Sequence, residues 1–157
     1  MQTFFPYPNI SSSAKCLDNK RLGKQRVEAK QLLLTLGVSV GQHQGNTQSR
    51  WRNHPAVRMW RGCEVSLVEY GLIMCVEWRQ RGFQDALKDQ FQQALTQFLK
   101  DRPAGDCPYW VGSEAFHASH RSNLLRKDAA YYAQFGWTEP DDLPYVWPTE
   151  IEPPSAK

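Results

Sequence analysis

The chain has 157 residues, enough for one domain that buries about two thirds of its unfolded surface and too few for two ordinary domains. The formal net charge is only +3, but segments 15–30, 50–61 and 117–127 hold 13 of the 19 lysines and arginines and two of the 16 acids, a net +11. The other 118 residues sum to −8. If the three basic segments meet, one strongly positive face results, and a phosphate backbone is its expected partner.

The cysteines and the apolar runs narrow the class of protein further. The chain has four isolated cysteines, Cys16, Cys63, Cys75 and Cys107. Without a CxxC pair, a disulfide framework or a zinc ribbon is not expected. No segment resembles a signal peptide or is apolar enough to cross a bilayer. The expectation is a cytoplasmic, nucleoid-associated protein with no membrane partner.

The first half of the chain begins with an extended segment, followed by a helix and a loop. Residues 1–10 are rich in aromatic residues and proline, which disfavours a helix there. The serines at 11–13 are candidate N-caps for a helix over about 14–36, which Gly37 would end. Residues 37–50 are rich in Gly, Gln, Ser and Asn and predict an exposed loop.

Three further helices are predicted in the second half. Pro55 suits the first position of a helix that continues to about Arg81. Apolar residues at helical spacing predict another helix over about 83–99, and a shorter one follows over about 112–132. The tail from Gly136 is rich in proline and acids and should wrap irregularly around the body.

No alternation typical of strands persists anywhere, and no internal repeat is visible. The predicted fold class is therefore all-α, a compact single-domain helical bundle over residues 1–135. An extended N-terminal segment precedes the helices, and a tail of residues 136–157 follows them. Nothing in the sequence decides the oligomeric state, and a monomer is the simplest expectation.

Glu28 is one carboxylate inside a dense run of cations. In a helix, Arg21, Lys24 and Glu28 share a polar stripe, while Leu22, Ala29, Leu32, Leu33 and Leu36 form the apolar stripe. The cations of such a stripe could bind a polyanionic substrate, and its single carboxylate could transfer a proton during a reaction. The alternative is a solvated helix face with ordinary pairing between Glu28 and Lys24.

Two other polar runs could contact DNA. Arg50, Trp51, Arg52 and His54 precede a helix N-terminus, where phosphate is favoured, and Trp51 could stack on a base. The alternative is a tryptophan packed beneath the loop with its arginines in solvent. Residues 117–127 are rich in donors and free of acids, so they could clamp phosphates or form an ordinary basic helix surface. His117 and His120 are expected to be structural or to face phosphate.

Four motifs, in the same order, carry a resemblance to a known family. They are Leu17-Asp18 with Leu22, Glu28 and Ala29; Arg52-x-His54-Pro55; Glu77-Trp78-x-x-Arg81-Gly82-Phe83; and Ser119-His120 through Lys127 with Tyr131-Tyr132. In this pattern the chain resembles the pyrimidine dimer DNA glycosylases of the phage endonuclease V type. The resemblance covers most of residues 1–135. It implies an all-α enzyme without a metal or cofactor, a DNA glycosylase with AP lyase activity that flips a nucleotide out of double-stranded DNA.

The resemblance also implies catalytic roles. Glu28 falls on the catalytic glutamate of the family, and the nucleophile of the family is the N-terminal α-amine. Because Gln2 is bulky, Met1 should be retained, and its α-amine would attack the sugar C1′. An arginine precedes the glutamate in the family, whereas this chain has Val27, with Arg26 one residue earlier. The predicted DNA-binding residues are Arg21, Lys24, Arg26, Arg50, Trp51, Arg52, His54, His117, His120, Arg121, Arg126 and Lys127.

Three functional hypotheses remain open from the sequence. The first is a DNA glycosylase and AP lyase that acts on damaged or modified pyrimidines. The second is a DNA-binding protein that kept the fold and the basic face without the chemistry. The third is a small protein-interaction domain in which the basic segments do not meet. A free, unblocked Met1 amine beside Glu28 favours the first hypothesis, and a disordered start favours the second.

Overall fold

The computed structural model describes residues 1–101 and 108–148, and these ranges contain helices and no β-strand. The helices are α1 Ile10–Cys16, α2 Asn19–Thr35, α3 Pro55–Trp60, α4 Glu64–Gln80, α5 Leu87–Phe98, α6 Glu114–Lys127 and α7 Ala129–Tyr132. A 3₁₀ helix, Ala133–Phe135, follows α7. The predicted all-α fold class is confirmed. No helix in the described ranges has the length and apolar character needed to span a membrane.

Helices α2 and α4 form the central pair of the fold, and α5 packs across α4. The predicted apolar stripe of α2 is fully buried at Leu22, Ala29, Leu32 and Leu33, whereas Leu36 is half-buried. Close packing also depends on Gly71 in α4, where a Cβ atom would lie 2.8 Å from the Phe91 ring. A side chain at this position would push α5 away from the core.

The first predicted helix is divided in two, because local hydrogen bonds favour an earlier start and a break. Asn9, and not one of the three serines, caps α1, and its Oδ1 accepts from the Ser12 amide over 2.9 Å. The break follows at Leu17, and Asp18 occupies the N-cap of α2. The Asp18 carboxylate accepts from the Tyr132 hydroxyl and from Arg21, so it does not cap the helix itself.

The other predicted helix boundaries also shift for identifiable reasons. Gly62, with a positive φ of 85°, separates α3 from α4, so the helix that begins at Pro55 is not continuous. Helix α5 begins at Leu87 instead of 83, because the Asp85 carboxylate accepts from the amides of Leu87 and Lys88. Asp128 likewise separates α6 from α7 and accepts from the Tyr131 amide.

The C-terminal segment is irregular, and one cysteine departs from the expectation based on the sequence. Residues 136–147 contain no helix, as predicted, and the rest of the tail beyond Pro148 lies outside the described residues. Cys63 is disulfide-bonded, although the sequence predicted no disulfide framework, and Cys107 lies outside the described residues. Cys16 and Cys75 are free and buried, and burial raises the pKa of both thiols to about 12. Neither thiol is activated as a nucleophile.

Candidate active site

Met1 and Glu28 line the same pocket, which has a volume of about 250 Å³. The lining residues are Met1, Gln2, Phe4, Lys24, Gln25, Glu28, Lys127 and Tyr145. They come from the N-terminal segment, from α2, from the end of α6 and from the tail. The pocket therefore brings together the chain start, one carboxylate and two lysines.

Glu28 sits on α2 with only 13 % of its side chain exposed. Lys24, one turn earlier, has its Nζ 3.9 Å from Glu28 Oε1, and its own side chain is 69 % exposed. A charge pair at this distance with one exposed partner is weak, so Lys24 can move toward an arriving anion at little cost. Val27 is exposed, and it occupies the position at which the family that this chain resembles has an arginine.

The N-terminal segment is fixed to the body by side chains of α2, α3 and α4. The Phe4 amide donates to Gln25 Oε1 over 2.9 Å, and the Tyr70 hydroxyl donates to the Phe4 carbonyl over 2.6 Å. Trp60 Nε1 donates to the hydroxyl of Thr3 over 3.0 Å. Because residues 3 and 4 are held in this way, the position of Met1 is restricted to the pocket.

His117 and His120 are fully buried and hold the same segment from the side of α6. The Phe5 amide donates to His120 Nδ1 over 2.9 Å, so the His120 proton must be on Nε2. The Gly112 amide donates to His117 Nε2, and His117 Nδ1 donates to the Phe5 carbonyl over 2.6 Å. Both rings are neutral in this pattern, and they do not reach the surface. This corrects the prediction that the two histidines contact DNA.

Burial also explains the protonation states of the two histidines. It lowers the pKa of His120 to about 3, with a smaller contribution from His117 nearby. Burial likewise lowers the pKa of His117, although the hydrogen bond to the Phe5 carbonyl opposes the shift. Their role in the described structure is to position the N-terminal segment.

Arg121 and Arg26 are the other two predicted DNA contacts that the structure assigns elsewhere. Arg121 is buried and donates to the Pro6 carbonyl and to Glu139, each over 2.7 Å, and it also pairs with Glu114. A guanidinium with these partners has little left to offer a phosphate.

Arg26 pairs with the buried carboxylate of Asp85 and lies 5.0 Å from the centre of the Trp78 ring. Burial opposes ionisation of Asp85, but hydrogen bonds from Arg26 and from the amides of Lys88 and Leu87 outweigh it, so its pKa is lowered. Arg26 therefore connects α2 to the start of α5, and the prediction of DNA contact is corrected for this residue as well.

Five of the remaining cations, from the first and third basic segments, lie close together. Burial lowers the pKa of Lys127, and the charges of Arg21, Arg126, Lys24 and Lys20 lower it further. Arg126 and Lys127 are exposed, and Arg21 is half-buried beside Asp18. We call Lys20, Arg21, Lys24, Arg126 and Lys127 the basic rim. Concentrated positive charge at the pocket mouth favours an anion there.

The second basic segment reaches the site through His54. His54 Nδ1 accepts from the Ala56 amide over 3.0 Å and caps α3. Burial and the positive charge of the Met1 amine lower the pKa of His54, so this ring lies within electrostatic reach of the chain start. Arg50, Trp51 and Arg52 are exposed on the preceding loop.

Sequence reasoning missed several residues of the site, among them Gln25, Tyr70 and Tyr145. Gln25 and Tyr70 are buried polar residues on otherwise apolar helix faces, and only this break in the pattern could have indicated them. Tyr145 reaches the pocket because α6 side chains hold the tail backbone: Asn123 donates to the Leu143 carbonyl, and Ser119 accepts from the Val146 amide. No cluster of three or more potential metal ligands occurs among the described residues.

Comparison with known proteins identifies the family of the chain. A family model described as pyrimidine dimer DNA glycosylase matches residues 1–91, which include Met1, Glu28 and His54. The match covers more than half of the chain, so the protein belongs to the pyrimidine dimer DNA glycosylase family, a class of DNA repair enzymes. No curated protein and no solved structure matches the chain.

Proposed function

We propose that the protein is a DNA glycosylase with AP lyase activity, in which the Met1 α-amine is the nucleophile. The substrate is double-stranded DNA carrying a damaged or modified pyrimidine. The single observation that carries the proposal is the pocket that Met1 shares with Glu28. A neutral α-amine is a nucleophile that can attack carbon without a cofactor.

The proposed reaction has two stages. In the first, the amine nitrogen bonds to C1′ of the extrahelical nucleotide, the glycosidic bond breaks, and the base departs with a proton from the attacking nitrogen. The C1′–O4′ bond then breaks and opens the sugar ring, the second proton of the nitrogen passes to O4′, and an imine results. In the second, a base removes the C2′ proton, and the 3′ phosphate leaves by β-elimination. The imine finally hydrolyses and frees the amine.

Glu28 is the proton carrier in this scheme. Its carboxylate can stabilise positive charge that develops on the sugar and can accept the C2′ proton. Its low exposure limits competition from water for these tasks. Lys24 and Lys127 line the same pocket and would bind the phosphates that flank the extrahelical nucleotide.

The alternative is a DNA-binding protein without catalysis. Val27 favours this alternative, because the family has an arginine at this position and this chain has an exposed aliphatic side chain. In that case the basic rim would bind duplexes with no chemical change.

Borohydride trapping separates the two functions. The protein is incubated with duplexes that carry an abasic site, a cyclobutane pyrimidine dimer or a modified pyrimidine, and the imine is reduced to a stable adduct. We expect a covalent adduct with the abasic duplex and with at least one of the base-containing duplexes. DNA binding without an adduct on any of the three would establish the non-catalytic alternative.

A further inference from the structure

Trp51 is the only exposed tryptophan among the six in the chain, all of which lie in the described ranges. It is 44 % exposed on the loop before α3. The loop segment 41–53 contains no acid, and Arg50 and Arg52 flank the tryptophan. An aromatic ring that stays in solvent between two cations is poorly explained by packing and well suited to a nucleic acid.

The ring of Trp51 is held in place although it is exposed. The Arg50 guanidinium carbon lies 4.9 Å from the ring centre, and the His54 ring meets it edge to face at 6.1 Å. The Trp51 amide donates to Ser49 Oγ over 3.2 Å, and the Trp51 carbonyl accepts from the His54 amide over 2.9 Å. A ring restrained in this way loses little conformational freedom when it enters a base stack.

A series of ring contacts connects Trp51 to the pocket. The His54 ring packs against Trp147 at 6.0 Å, and Trp147 packs against Tyr145 at 5.7 Å. Tyr145 itself lines the pocket with Met1 and Glu28. The exposed ring therefore stands three ring contacts from the pocket wall.

We propose that Trp51 is the wedge that enters the base stack next to the extrahelical nucleotide and fills part of the space that the nucleotide leaves. This rests on the proposed function, because an enzyme that acts at C1′ inside a pocket must first break the stack. Apolar side chains that insert between base steps unstack them, and stacking of the ring on the neighbouring base offsets part of that cost. Arg50 keeps a cation beside the adjoining phosphate.

The test compares Trp51→Ala with Phe98→Ala, which removes another exposed aromatic ring, on α5. Two substrates are used, a duplex with the pyrimidine lesion that the wild type processes and a single strand with an abasic site. The single strand has no partner strand to separate and no base to extrude. We expect Trp51→Ala to lower kcat/KM on the duplex ~5–100-fold, from the usual range of aromatic–base stacking. Its trapping rate on the single strand should fall much less.

Two further measurements refine the result. Trp51→Phe should recover most of the duplex activity, because it retains a stacking ring. A 2-aminopurine beside the lesion should brighten on binding to the wild type and to Phe98→Ala, and much less on binding to Trp51→Ala. Full duplex activity in Trp51→Ala, or an equal loss on both substrates, would overturn the wedge. Failure of the wild type to trap any abasic substrate would instead overturn the proposed function.

Discussion

The amide of Phe5 donates a hydrogen bond to Nδ1 of His120 over 2.9 Å and thereby joins two residues 115 positions apart. His120 can accept this bond only while Nδ1 carries no proton. The neutral imidazole therefore helps to hold the N-terminal segment in the core. This role is structural and does not depend on the reaction at Met1.

The first prediction is that acid destabilises the fold through this histidine. The pKa of His120 is about 3 in the folded state and close to 6.5 when the chain is unfolded. The unfolded state therefore binds the proton first, and stability that is fully present above about pH 6.5 falls as the pH decreases toward 3. The free energy of unfolding should decrease by up to about 1.4 kcal/mol per pH unit for this group.

Urea unfolding at a series of pH values between about 7.5 and 5 measures this slope, above the range in which most carboxylates titrate. His120→Gln is the control variant, because its side-chain oxygen can accept from the Phe5 amide and does not titrate. We expect a flatter pH dependence for His120→Gln. Identical slopes in the variant and the wild type would show that His120 does not contribute.

The second prediction concerns Gln25, which accepts from the Phe4 amide. Gln25→Leu leaves a buried donor without a partner and should cost about 1–3 kcal/mol of stability. Because Met1 is then less well positioned, borohydride trapping should slow more than DNA affinity falls. Gln31→Leu, at an exposed position on the same helix, should change neither quantity. Equal trapping rates in Gln25→Leu and the wild type would contradict a positioning role.

The third prediction separates binding from proton transfer at Glu28. Glu28→Gln keeps the side-chain shape and removes a negative charge from the pocket beside the basic rim, so DNA binding should persist or tighten. Turnover should fall about 10²–10⁴-fold, the usual contribution of a positioned acid or base. Single-turnover cleavage at saturating enzyme measures the chemistry without the binding step. A variant that cleaves at the wild-type rate would remove Glu28 from the mechanism.

The fourth prediction concerns the nucleophile. Acetylation of the Met1 amine, or an uncleaved N-terminal tag, should abolish the borohydride adduct, because an amide nitrogen cannot form an imine. DNA affinity should change little, since the basic rim remains. A blocked protein that still forms the adduct would move the nucleophile to a lysine, and Lys24 in the same pocket would be the first to substitute.

The sequence predicted the helical fold and the apolar stripe of α2, because the spacing of apolar residues along a helix indicates which of its faces is buried. It also singled out Met1 and Glu28 through a family resemblance, and the two line one pocket. It did not predict which polar residues face inward. In the sequence of a basic helix, His117 and His120 cannot be distinguished from histidines that face solvent. Only tertiary packing turns them toward Phe5. Tyr145 was missed as part of the site because an irregular tail has no period from which its direction could be read.

The last prediction tests the basic rim through its response to salt. Each phosphate neutralised by a cation releases a counterion, so log affinity should fall linearly with log salt, with a slope of about −0.9 per contact on duplex DNA. Lys127→Ala should weaken binding at low salt and reduce the magnitude of the slope by about 0.9. Lys100→Ala, an exposed lysine beyond α5, is the matched control and should leave the slope unchanged. Arg121→Lys should also leave the slope unchanged, because this guanidinium is committed to Glu139, Glu114 and the Pro6 carbonyl. Fluorescence anisotropy with a labelled undamaged duplex measures all four proteins, and an unaltered slope in Lys127→Ala would exclude the mouth of the pocket as the place where the phosphates bind.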